Sequence, residues 1–104
     1  KAMHKNRPAI ALNYVAKIIE ERGKTHGDYG ETFNMCAQLW SVYLGIPITP
    51  SQVCVLNALQ KFARDQNSEN INLDNMHDSI GFLAIGAAFQ QALKEREMEG
   101  GESS

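Results

Sequence analysis

The chain has few residues of the kinds that cross-link or anchor a small protein. No apolar run in its 104 residues approaches the ~18 needed for a membrane-spanning helix. Only two cysteines are present, Cys36 and Cys54, each among apolar neighbours in a segment of helical pattern. No Cys-x-x-Cys spacing favours a disulfide or a metal pair. We therefore interpret both as buried thiols of a cytosolic protein.

Excess charge of either sign is also lacking. The formal net charge is −2, so no bulk electrostatic attraction to nucleic acid or to an anionic membrane is expected. No signal-peptide pattern is visible. We expect a cytoplasmic protein whose partners include neither a membrane nor nucleic acid.

Strand patterns are missing as well, because the β-branched runs are short and helical spacing accounts for them better. Apolar residues at helical spacing instead predict four helices, over about 8–22, 31–44, 50–64 and 73–98. Gly23 and Gly45 are the predicted stops of the first two. Thr49 and Gln52 form a predicted capping box at the start of the third.

Short connections between four helices favour an antiparallel four-helix bundle. We expect one domain over 1–104, with an ordered helical core over 8–98 and a flexible tail over 99–104. The middle of the fourth helix is apolar nearly all round and includes Gly81 and Gly86, which favours close packing or a subunit interface. We therefore expect a homo-oligomer, at least a dimer, to which the fourth helix contributes.

Three polar clusters exceed what a bundle requires. The first lies between helices at 25–29, the second is Lys61 with Arg64, and the third combines Asp74, His77 and Asp78. If the three meet, carboxylates and cations lie together, an arrangement that suits a phosphate-bearing ligand with a metal ion. The structural alternative is that the carboxylates cap helices and that Arg64 pairs with Asp78.

The segments 22–29, 38–40, 59–64 and 74–82 resemble a family of small phage and prophage proteins. The shared motifs are Arg-Gly-x-Thr-His-Gly-Asp, Lys-x-x-Arg on a helix, and Asp-x-x-x-Asp-x-x-Gly-aromatic on the last helix, together covering roughly 12–90. Thr32 stands where that family usually has asparagine. More distantly, the layout is similar to the all-α nucleoside triphosphate pyrophosphohydrolases of the MazG type, although their Glu-x-x-Glu and Glu-x-x-Asp hallmarks do not occur in the helical core here.

The resemblance implies a magnesium-dependent nucleotide pyrophosphohydrolase, or a relative, in the cytoplasm of a bacterial host. The implied oxygen ligands of Mg²⁺ are Asp28, Glu31, Asp74 and Asp78. Lys61 and Arg64 would bind phosphate and stabilise developing charge. Tyr29 would stack on the ligand, and His26 would position or deprotonate water.

A second interpretation stays open beside the first. It is a non-catalytic phage protein that binds a host or phage macromolecule, with polar clusters that serve only the fold. The distances among Asp28, Asp74 and Asp78 distinguish the two interpretations, because a metal site requires these carboxylates to lie together.

Overall fold

The structure, a computed structural model, describes the backbone of residues 2–26 and 28–103 and the side chains of 6–24 and 28–100. Over this part of the chain there are four α-helices and no strand. The helices are α1 (Ala2–His26), α2 (Tyr29–Leu44), α3 (Pro50–Ala63) and α4 (Leu73–Ser103). The prediction of an all-α protein with four helices is therefore confirmed.

The helix ends show which local signals operate. Gly45 ends α2 in the left-handed conformation, with φ of 72°, which a glycine adopts without steric cost. At the start of α3, the Thr49 hydroxyl accepts from the Gln52 amide while the Gln52 side chain accepts from the Thr49 amide, so the predicted capping box is present. The predicted stop at Gly23 is wrong, because α1 continues to His26.

An antiparallel pair of helices, α3 and α4, forms the centre of the molecule. Ser51 at the start of α3 donates a hydrogen bond to Gln90 late in α4, over 2.9 Å. Further along α3, the carbonyl of Ala58 accepts from the buried hydroxyl of Ser79 at 3.5 Å. The two helices approach each other closely at Gly86, where a β-carbon added to the glycine would lie 3.2 Å from Cβ of Cys54.

The other two helices pack on this pair from different sides. From α2, the buried ring of Phe33 meets the edges of Phe82 and Phe89 of α4, with ring centroids 6.3 Å apart in both cases. From α1, the buried side chain of Val15 faces Gly81. The core is therefore assembled around α4, which contacts both flanking helices.

Much apolar surface stays uncovered in a single chain. The Cα radius of gyration is 16.5 Å and the long dimension is 53 Å, whereas a compact domain of this length has a radius of gyration near ~13 Å. Large apolar side chains of α2, such as Val42 and Tyr43, are more than four-fifths exposed. On α4 the exposed large apolar side chains are spread along the helix, at Leu73, Leu83, Leu93 and Met98.

The buried thiol of Cys54 leads to a prediction of how the free energy of unfolding depends on pH. Burial raises the pKa of this thiol from 9.0 to about 11, so the unfolded chain loses this proton at lower pH than the folded chain. The contribution of this pKa difference to the free energy of unfolding is fully present below pH 9.0 and is lost as the pH rises through about 11. We expect the free energy of unfolding, measured by urea titration, to fall over this interval by more in the parent protein than in Cys54→Ala. Equal losses in the two proteins would contradict the assignment, since every other titrating group is common to both.

Candidate functional site

An ion pair between α3 and α4 is the best-defined polar contact of the molecule. Nζ of Lys61 lies 3.0 Å from a carboxylate oxygen of Asp78, and the two side chains are 20% and 27% exposed. The predicted Arg64–Asp78 pair is wrong. Lys61 follows Cys54 and Ala58 at helical spacings, so it lies on the face of α3 that meets α4. Arg64 is exposed and occupies the C-cap of α3.

A small cavity lies next to this pair, between α1, α4 and the start of α2. Its volume is about 40 Å³. Apolar side chains such as Val15 and Phe82 form most of its wall. Its polar lining residues are Arg22, Tyr29, His77 and Asp78. The end of α1, the start of α2 and the distant helix α4 thus bring a guanidinium, an aromatic ring, an imidazole and a carboxylate to one place.

His77 is the residue of this site whose hydrogen bonding is incomplete. Its Nδ1 atom is buried and has no hydrogen-bond partner. Its ring packs against Tyr14 with centroids 4.7 Å apart, which holds the imidazole in position. Because buried polar atoms in folded proteins nearly always have a partner, the open position at Nδ1 distinguishes His77 from the other residues that line the cavity.

The described residues of the first polar cluster, Asp28 and Tyr29, have different roles. The carboxylate of Asp28 accepts from the Gly30 amide at 2.8 Å and caps α2, the structural role that was the alternative to metal binding. Tyr29 lines the cavity and stacks on Phe33 with centroids 6.3 Å apart. The side chains of Thr25 and His26, including the predicted catalytic imidazole, lie outside the described residues.

The predicted magnesium ligands do not assemble within one chain. Glu31 and Asp74 are exposed, Asp28 caps a helix, and Asp78 pairs with Lys61. Among residues 6–24 and 28–100, no three His, Cys, Asp or Glu side chains form a group that could hold a metal ion. The four predicted carboxylates therefore do not form one cluster.

Arg22 is a site residue that sequence reasoning did not single out. It follows Val15, Ile18 and Ile19 at spacings that place all four on one face of α1, and all four line the cavity. A cation at the end of an apolar stripe was the available signal. Arg22 also opens the Arg-Gly-x-Thr-His-Gly-Asp motif, but its face of the helix was not compared with that of the later polar clusters.

Comparison with known proteins identifies the family but no characterised relative. None of the described helices has the length and apolar character needed to cross a membrane. No curated protein matches the chain, and no solved structure matches it. Residues 11–90, which include the Lys61–Asp78 pair and every lining residue of the cavity, match a domain of unknown function. The chain therefore belongs to the DUF6378 family.

Proposed function

We propose that the protein binds a phosphate-bearing ligand, of the nucleotide class, at the cavity between α1 and α4. The observation that carries the proposal is that His77, whose buried Nδ1 atom has no partner among the described residues, lines the same cavity as Arg22. An imidazole nitrogen can donate a hydrogen bond, and a guanidinium offers a planar fork that matches phosphate oxygens.

The dimensions of the cavity limit which part of the ligand enters. At about 40 Å³ it exceeds the roughly 10–15 Å³ that one water molecule requires, but it is far smaller than a nucleoside. We therefore assign the cavity to phosphate oxygens, with the remainder of the ligand outside it. Tyr29, which lines the cavity and is half-buried, is the aromatic residue placed to contact that remainder.

The Lys61–Asp78 pair sets the charge at the edge of the proposed site. Asp78 lines the cavity and lies 3.0 Å from the Lys61 ammonium, which is not among the lining groups. Pairing with Lys61 offsets the negative charge that the Asp78 carboxylate would present to a phosphate. Hydrolysis of the ligand is proposed only from the likeness to the MazG type, because the four predicted carboxylates do not form one cluster.

A nucleotide panel in a thermal-shift assay tests the binding proposal. We expect nucleoside triphosphates or inorganic phosphate to raise the Tm, by roughly 10 °C for a ligand at a hundred times its Kd. Arg22→Gln should abolish the shift. Arg7→Gln, a change of the same kind at a position of the same helix that does not line the cavity, should leave it intact. Parallel series with and without Mg²⁺ show whether a metal accompanies the phosphates.

Two results would overturn the binding proposal. One is the absence of any shift up to millimolar ligand. The other is an equal shift in parent and Arg22→Gln proteins, which places binding elsewhere and leaves the cavity to ordered water. Failure of the magnesium series alone removes only the hydrolytic part.

The exposed apolar side chains favour a second role, contact with another protein chain. Val42 and Tyr43 are 83% and 88% exposed, which is unusual for large apolar residues of a helix. The predicted homo-oligomer, closed into an antiparallel bundle, accounts for this surface. A host or phage protein partner, which is also predicted for a phage-encoded protein in the bacterial cytoplasm, would account for this surface as well.

A further inference from the structure

A long central part of the chain carries no charge. From Thr32 to Gln60 there is no Asp, Glu, Lys, Arg or His, so every charged side chain lies before or after this segment. The segment comprises nearly all of α2 and most of α3. A surface formed by these helices cannot select a partner through opposite charge, and its complement must itself be uncharged.

Within this segment, α2 is apolar on two opposite faces. Its inner face buries Phe33 and Ala37 in the core. Its other face carries a row at helical spacing that we call the outer stripe, composed of Met35, Leu39, Val42 and Tyr43. These four side chains are 54%, 60%, 83% and 88% exposed. A helix that is apolar all round is normally buried all round.

The described helices leave the outer stripe uncovered. α3 and α4 already lie on the inner side of α2, and α1 packs on α4. The chain is also extended, with a radius of gyration of 16.5 Å against about 13 Å for a compact domain. A second copy of these helices can supply the apolar cover that the described part of one chain does not.

We propose that the outer stripe of α2 is the interface between two copies of this chain, related by a two-fold axis. A second copy always presents the required complement, an uncharged apolar helix face of the same length, and two-fold interfaces pair one patch with itself. The large exposed apolar residues of α4 are spread along that helix, at Leu73, Leu83, Leu93 and Met98, and offer no comparable row. This location differs from the fourth-helix interface that the sequence suggests.

Sedimentation of the purified chain tests the proposal. We expect the parent protein to sediment with twice the 11.6 kDa mass of one chain and Val42→Lys to be a monomer that retains its helical circular dichroism. Leu12→Lys, which places the same charge at an exposed leucine of α1, should remain a dimer. If Val42→Lys does not fold, Tyr43→Ala is the second variant. It removes a side chain that touches little within its own chain, and we expect it to weaken the dimer by about 30-fold or more.

Two outcomes would contradict the proposed interface. A parent protein that stays monomeric at the highest attainable concentration overturns the proposal and assigns the stripe to a different partner. A dimer that Leu12→Lys disrupts, and that Val42→Lys and Tyr43→Ala leave unchanged, places the interface elsewhere.

Discussion

Replacing Phe33 with alanine is expected to lower the free energy of unfolding by about 3–5 kcal/mol, the usual cost of removing a buried phenylalanine. The ring is 7% exposed and contacts three aromatic side chains, Tyr29, Phe82 and Phe89. These contacts tie α2 to α4, and the core among the described residues is small. A loss of this size is a large part of the roughly 5–15 kcal/mol that typically separates folded and unfolded states.

Urea unfolding followed by circular dichroism measures this loss. Leu12→Ala is the matched control, because it also truncates a large apolar side chain but at a position that is 58% exposed. We expect the control to change stability by no more than about 0.5 kcal/mol. Similar losses in the two variants would show that Phe33 does not join α2 to the core in the way the structure indicates.

Replacing Gly86 with leucine is the second change with a large expected effect. A β-carbon at this position meets Cβ of Cys54 at 3.2 Å and the carbonyl oxygen of Ser51 at 3.7 Å. Neither can move without shifting the backbone of α3. We therefore expect α3 and α4 to be forced apart, with a loss of about 3 kcal/mol from overpacking, greater than any gain from replacing a helical glycine.

Gly23 provides the control for this change. It also lies within a helix, but a β-carbon there has no neighbour within 4 Å. Gly23→Ala should therefore raise the free energy of unfolding by about 0.5–1 kcal/mol, since alanine is the better helix former. Thermal melts compare the Tm of both variants with that of the parent. A Gly86→Leu protein as stable as the parent would contradict the close approach of α3 and α4.

Local sequence determined the secondary structure of this protein. The four apolar stripes, the capping box of Thr49 with Gln52 and the stop at Gly45 act through neighbours within one turn, so the helices they predict are present. The stop at Gly23 failed because a glycine ends a helix in this way only where the chain adopts a positive φ. Among the described residues, only Gly45 does so.

Tertiary structure decided which polar residues meet. From the sequence, Arg64 was the partner considered for Asp78. Only the face that α3 turns toward α4 selects Lys61 and leaves Arg64 exposed. In the same way, Arg22 and His77 are brought to one cavity by the packing of α1 on α4, although they lie far apart in the sequence. Helix periodicity states which side chains share a face, but the pairing of faces is set by how the whole core packs, and no local pattern encodes it.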